Sequence, residues 1–276
     1  MIRFFRTFIP PIFFSIIKNF KKNKQVPQKL GMWSGNYSSW EEAKKNCTGY
    51  DATNILEKCK NALLKVKNGE AVYERDSVLF DKIQYSWGLL AGLQKAASEK
   101  NNTLCVLDFG GSLGSTYYQN KEFLSSLKNI EWCIVEQPHF VDCGKQNFEN
   151  EELKFYHSIE ECFKKHKPNV LLLSSVLQYL KNPNEWIEKF NDLEVDYIII
   201  DRTAFIEAEN DILTIQNVPE SIYKANYPAW FFNQEKIIKI FTNFTIVAEI
   251  DNSFTGNALI HNKKAKWTGM ILKKRA

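Results

Sequence analysis

The chain has 276 residues, of which 44% are hydrophobic, 14% aromatic and 25% charged, with a formal net charge of +4. That is enough for one sizeable α/β core with a small appendage, and it excludes a disordered or fibrous chain. The slight basic excess is partly terminal (Lys18, Lys21, Lys22, Lys24 and 263–275), too diffuse for a nucleic-acid binder and better suited to a protein with a small-molecule substrate.

Residues 1–30 read as a basic, amphipathic segment followed by a linker over 23–35. The uncharged run Thr7 to Ile17 is far short of the ~20 residues that span a bilayer, and no small-residue cleavage site follows it. From Pro11 on, Ile12, Phe13, Ile16, Ile17 and Phe20 share a helical face, with Lys18, Asn19, Lys21 and Lys22 turned away. A helix lying on an anionic membrane surface through residues 1–24 and a helix docked on the protein's own body both satisfy that pattern.

Residues 31–100 read as a helical cap. Two helical stretches lie between Ser39 and Lys67, the first opened by "SSWEEA", where Ser38 or Ser39 caps and Glu41 and Glu42 fill the first turn. A long amphipathic helix is expected over Asp76 to Lys100, with Phe80, Ile83, Trp87, Leu90 and Leu93 on one side.

From residue 101 to 276 the texture is strand–helix alternation. Apolar runs at Leu104–Phe109, Trp132–Glu136, Leu153–Tyr156, Val170–Ser174 and Tyr197–Asp201 alternate with helical patterns at 115–127, 138–149, 158–166 and 183–193. Continuous apolar strands between helices predict a mostly parallel sheet covered on both faces. After a helix near Asn233–Thr242, Phe244–Asp251 and Lys266–Lys274 follow one another without a helix, which predicts an antiparallel hairpin closing one edge. The fold class expected is α/β, a Rossmann-like seven-stranded sheet of order 3-2-1-4-5-7-6 with a helical N-terminal extension.

In such sheets ligands bind beyond the carboxyl ends of the strands. "VLDFGGSLGSTYY" places Asp108 at a strand end, then Gly110, Gly111, Ser112 and Gly114 in the turn. A nicotinamide fingerprint counted from Gly110 meets Ser112 and Ser115 where glycines belong, and the P-loop Gly-Lys-Ser/Thr is absent. An acid before a glycine turn suits the ammonium end of S-adenosylmethionine, and an acid ending the next strand suits its ribose hydroxyls. Glu136, with Gln137 beside it, stands there, and Ser174 ends the fourth strand.

"LDFGGSLGS", "VEQPHFVDCGK", "LLLSSVLQYL" and "YIIIDRTAF" resemble the class I S-adenosylmethionine-dependent methyltransferases over roughly 104–274. "WSGNYSSWEEA", "YERDSVLFDKIQYSW" and "YPAWFF" resemble, more narrowly, a family of bacterial methyltransferases often encoded among surface-polysaccharide and lipopolysaccharide genes. The resemblance implies methyl transfer to a small-molecule or glycan-linked acceptor in the cytoplasm, at the inner face of the membrane if the N-terminal helix binds there. Ser112 replaces the middle glycine of the commonest motif.

Many small-molecule O-methyltransferases carry a histidine after the fourth strand; here Gln178 and Tyr179 stand in "SSVLQYL". Substitute bases are Asp201, ending the fifth strand, His261 before the last strand and His139 at the second β-α turn. An anionic acceptor would need none, and Arg202 would then orient it. Arg75 in "YERDS" is a candidate for the methionyl carboxylate, and "YPAWFF" (Tyr227 to Phe232) for an aromatic wall or plain core packing. Tyr117 and Lys121 have the YxxxK spacing of short-chain dehydrogenases, but in the wrong place. A nicotinamide-dependent sugar-nucleotide oxidoreductase and a non-catalytic membrane-peripheral assembly factor are the alternatives.

The cysteines are Cys47, Cys59, Cys105, Cys133, Cys143 and Cys162, none in CxxC spacing. That argues against structural zinc and a disulfide framework and for a reducing compartment. Cys105 and Cys133, inside predicted strands, read as small hydrophobes.

Overall fold

The central strands are almost uniformly apolar because helices cover the sheet on both sides. The computed structural model describes residues 32–47, 52–219, 222, 225–251 and 256–275, without the side chains of 52–54. The readings of residues 1–30, the amphipathic helix among them, lie outside the described residues. In chain order come β1 (Trp33–Ser34), α1 (Trp40–Lys45), α2 (Ala52–Lys67), β2 (Tyr73–Arg75), β3 (Val78–Phe80) and α3 (Trp87–Ser98). Then follow β4 (Thr103–Phe109), α4 (Ser115–Leu124), β5 (Asn129–Val135), α5 (Pro138–Asn147), β6 (Leu153–Tyr156), α6 (Ile159–Lys165) and β7 (Val170–Ser174). A 3₁₀ turn (Leu177–Tyr179), α7 (Pro183–Asn191), β8 (Tyr197–Ile206), β9 (Ile212–Asn217), β10 (Asn226–Phe231), α8 (Gln234–Ile240), β11 (Phe244–Asp251), β12 (Asn257–Ile260) and β13 (Lys263–Lys274) complete the chain.

The main sheet runs β6-β5-β4-β7-β8-β13-β11, with β12 paired to the outer part of β13. β4 to β8 are parallel, and β13 is antiparallel to both β8 and β11. Taken by order of appearance, the seven main strands lie 3-2-1-4-5-7-6, a Rossmann-like sheet closed by an antiparallel pair. Leu90 and Leu93 of α3, Tyr117 of α4 and Phe140 of α5 join one core with Val106, Trp132 and Leu172. Cys162 of α6, Ile187 and Phe190 of α7 and Ile237 of α8 join the other with Leu107, Cys133 and Leu173.

Two elements differ from expectation. The segment Asp76 to Lys100 is not one helix: β2 and β3 form a hairpin, Arg75 opposite Val78, and α3 begins only at Trp87. Asp76 and Ser77 both take left-handed backbone (φ 51° and 67°), the two-residue turn that matches hairpin twist. Phe80 pairs with Tyr73 across it, ring centroids 5.6 Å apart, and Trp87 is 62% exposed; the helical spacing was fortuitous. So residues 32–100 are helical only in part. The linker read over 23–35 is likewise interrupted, since Trp33 and Ser34 pair with Gln216 and Ile215 of β9. The opening of α1 is as expected, Ser39 accepting from the Glu42 N–H.

β8 outruns the sheet. Beyond Arg202 it continues to Ile206, where Phe232 forms a bridge to Phe205, tying on a second sheet of order β1-β9-β10. The register between β8 and β13 slips at one place: Thr268 faces Thr203 but Met270 faces Ile200. Asp201 and Arg202 therefore share the space opposite Gly269, and Arg202 takes left-handed backbone (φ 49°). A bulge of this kind re-aims side chains that a regular strand would send to opposite faces. A Cβ on Gly269 would lie 2.0 Å from the Ile200 carbonyl oxygen. We expect Gly269→Ala to cost about 1–3 kcal/mol in urea unfolding; stability equal to the parent's would show that the bulge is not held there.

Candidate functional site

A non-glycine residue in left-handed backbone follows β4 and β7, Ser112 (φ 54°) and Ser175 (φ 57°), and a third, Arg202 (φ 49°), marks the bulge of β8 beside them. Such residues gather where a site over-determines the backbone. After β4 the chain turns through Gly110 to Gly114, the Gly110 N–H donating to the Val135 carbonyl at 2.9 Å. The Asp108 carboxyl lies directly beneath: a Cβ on Gly111 would meet it at 2.5 Å. Trp132 of β5, fully buried, donates its indole N–H to Asp108 Oδ2 at 2.9 Å. Burial pushes the Asp108 carboxyl up to about 7, against the Trp132 hydrogen bond.

A second acid, which the sequence reading passed over, covers the same turn from outside. Glu74 of β2 is 2% exposed. It accepts from the Ser115 hydroxyl, at the first residue of α4, and from the Ser77 N–H at 3.1 Å. Burial pushes its carboxyl up to about 7, with Asp76 adding to the effect and Ser115 opposing it. Glu74 was hidden because "YERDS" read as the approach to a helix; the hairpin folds it back over the turn. Cys59 of α2 joins from the same side, its thiol pushed up to about 12 chiefly by burial, then by Glu74 and Asp76, with Ser112 opposing. Glu136, half-buried at the end of β5, accepts from the Gln137 N–H at 2.6 Å. Burial raises its carboxyl, opposed by hydrogen bonds from the Gln137 and Ser112 backbone.

Across the crevice the β8 bulge brings Asp201 and Arg202 together, Nε to Oδ2 at 3.3 Å. Asp201 is 2% exposed and also accepts from the hydroxyls of Ser86, which precedes α3, and Ser174, both at 2.9 Å. Arg202 donates to Ser174 Oγ at 3.2 Å. Burial disfavours its charge, but Asp201, Asp76, Tyr73 and Asp108 more than offset that. Asp201 is thus occupied as the anchor of Arg202 and of the start of α3, which argues against it as the base that takes an acceptor's proton. Gln178, 2% exposed, donates to Ser175 Oγ at 3.1 Å and to the Arg202 carbonyl at 3.3 Å. Its Oε1 has no hydrogen-bond partner among the described residues.

Other sequence candidates stand apart. His261 is an exposed residue in the β12–β13 turn, its Nε2 3.0 Å from the Gly35 carbonyl oxygen. Since Ala265 pairs with Ile206, it lies beyond the far end of β8, more than about 16 Å along the strand from Asp201, and does not overhang the crevice. Gln137 is exposed at the start of α5. His139, two residues further on, packs on Phe140 at 5.0 Å. Arg75 lies over the Phe80 ring at 5.2 Å. The stretch Tyr227 to Phe232 divides its duties: Phe231 and Phe232 are fully buried core, while Tyr227 meets Tyr179 edge to face at 5.4 Å and Trp230 donates to the Leu180 carbonyl at 3.1 Å. The Tyr117 hydroxyl donates to Glu152 at 2.5 Å, outside the crevice.

The crevice therefore holds the carboxyls of Glu74, Asp108 and Glu136, with Asp76 exposed beside them on the hairpin and the Arg202 guanidinium already engaged by Asp201. Such a site favours a cationic ligand over an anionic one.

No family model matches the chain, and no curated protein matches it. Among solved structures it is similar to an S-adenosylmethionine-dependent methyltransferase from Clostridium acetobutylicum (12% identity, TM-score 0.45, covering 71% of this chain and 94% of that one). It is similar also to the N-terminal domain of EvdMO1, crystallised in the presence of SAH and D-fucose (10%, 0.45, 82% and 98%). A third is CalS10, an amino pentose methyltransferase from Micromonospora echinaspora (8%, 0.42, 70% and 92%). At these values the likeness describes the path of the chain, and the reading below rests on its own residues.

Glu74 and Asp108 hold protons in the folded chain up to about pH 7, whereas an unfolded carboxyl loses its proton near pH 4. Between those values the folded state binds more protons, so each group's contribution to stability declines as pH rises. In Glu74→Gln the Tm relative to the parent should climb from pH 5 to pH 8. A difference independent of pH would show that Glu74 is ionised normally.

Proposed function

We propose that this chain is an S-adenosylmethionine-dependent methyltransferase acting on an oxygen of a sugar or sugar-linked group. The observation that carries the reading is Glu74 at the start of α4. Dinucleotide-binding folds keep that helix N-terminus for a pyrophosphate; here a carboxyl of the chain itself stands on Ser115. A pyrophosphate would meet Glu74, Asp108 and Glu136 together, which disfavours a nicotinamide-dependent oxidoreductase. The residues fit a ligand with an ammonium and a sulfonium: Glu74 and Asp108 would hold the amine and Glu136 the ribose hydroxyls, while the missing Cβ at Gly111 leaves room for the Asp108 carboxyl directly beneath the turn. When bound, this cofactor supplies an electrophilic methyl group.

The protein's part is alignment and exclusion of water, and alignment alone lowers such barriers by roughly 7–11 kcal/mol. Asp201 holds the Arg202 guanidinium, which with the Gln178 Oε1 orients the acceptor. Tyr179, Tyr227 and Trp230 offer ring faces that suit a sugar. Cytoplasmic action on intermediates of bacterial surface-glycan assembly, with the N-terminal segment at the membrane, is the context we propose. It is supported by the sequence resemblance of "WSGNYSSWEEA" and "YPAWFF".

Calorimetry with S-adenosylmethionine, S-adenosylhomocysteine and NAD tests the reading. We expect the first two to bind, NAD not to bind, and affinity for S-adenosylmethionine to rise between pH 6 and pH 8 as the two acids lose their protons. NAD binding, or binding of none of the three, would overturn it.

A further inference from the structure

On the sheet face opposite Asp108, two thiols and an imidazole converge, with a third thiol in the same core. Cys105 of β4, Cys133 of β5 and His166, which closes α6, bring one ligating atom each to within 4.8 Å of one another. Cys162, fully buried, lies one turn before His166 on α6, in the same core as Cys133 and Cys105. The fold fixes this convergence. Cys105 and Cys133 come from adjacent parallel strands and share the core that also contains Cys162. The His166 N–H donates to the Cys162 carbonyl at 2.9 Å, so their side chains leave the same side of the helix end.

We propose that Cys105, Cys133, Cys162 and His166 form a tetrahedral zinc site, independent of the crevice at the strand ends. Three sulfurs and one imidazole nitrogen are a ligand set that zinc takes in closed, structural sites. A zinc–sulfur distance of about 2.3 Å sets the sulfurs about 3.8 Å apart, and the ligating atoms of Cys105, Cys133 and His166, within 4.8 Å of one another, already stand near that spacing.

The surroundings are those of a metal-ligating histidine. His166 Nδ1 is 2.6 Å from Glu131 Oε2, and its Nε2 is 2.6 Å from the Tyr156 hydroxyl. Glu131 Oε2 also accepts from the Cys105 thiol at 3.6 Å, and a carboxylate or hydroxyl left on the ring nitrogen that does not take the metal fixes the ring and, for the carboxylate, raises its basicity. Neighbouring thiols and burial hold the Cys133 thiol well above the ordinary thiol range. Loading exchanges three thiol protons for one divalent ion, leaving a net charge of −1 on the four-ligand centre. Lys165, its Nζ 5.4 Å from the Tyr156 ring centroid, lies close enough to temper that charge. The ligands come from three separate elements, which is why no CxxC spacing announces them.

Zinc content of the full-length chain, purified without chelators, tests this, together with cobalt(II) titration of the demetallated protein. We expect one zinc per chain, a near-ultraviolet sulfur-to-cobalt band with the strong red ligand-field bands of tetrahedral cobalt, and release of three protons on loading. Cys133→Ser and His166→Ala should lose the stoichiometric metal, and Cys47→Ser, outside the cluster, should keep it. Should Cys133→Ser fail to fold, the parent's cobalt spectrum decides. A folded parent that carries no zinc and gives no sulfur-to-cobalt band overturns the site, and this readout is independent of any methyl transfer.

Discussion

Carboxyl groups crowd a place from which water has been removed, and the rest of the site follows from that. Glu74 and Asp108 approach the glycine turn from its two sides, one fastened by a serine hydroxyl and the other by an indole N–H. The Arg202 guanidinium lowers the pKa of both carboxyls, but as the smallest of the influences on each, and it is paired with Asp201. A crevice built this way is short of positive charge, and a ligand that brings some relieves the strain of burying the acids.

Long-range topology rather than local sequence assembles these groups. The bulge opposite Gly269 puts Asp201 and Arg202 on the same side of β8, where their side chains meet. Ser86, immediately before α3, reaches the same carboxylate. The hairpin β2–β3 and helix α2 supply Glu74 and Cys59. The region before the first parallel strand is therefore part of the crevice, with α3 packed on the sheet and the hairpin packed on its turn.

Much of the fold was legible in the sequence, because burial on both faces leaves a strand no polar residues: "VLLLS" and "YIII" can hardly be anything else. The closing antiparallel pair was legible from the missing helix between β11 and β13. Acids at two consecutive strand ends were legible because strand ends are fixed by their own apolar runs. What lay hidden depended on contacts distant in sequence. Glu74 was obscured by a helical spacing that the left-handed Asp76–Ser77 turn overrides. His261 was misplaced because the length of β8 beyond Arg202 is set by the second sheet, whose strands β9 and β10 carry only weak alternation. The thiol cluster left no local trace, its members being contributed by β4, β5 and α6.

Carbon-13 NMR of the Glu74 and Asp108 side-chain carboxyls through a pH titration, with and without S-adenosylmethionine, examines the central claim most directly. The charge-starved crevice predicts midpoints near 7 for the free protein, both falling below 5 when the cationic ligand is added. Midpoints near 4 in the free protein, the ordinary carboxyl range, or values that the ligand leaves in place, would contradict it.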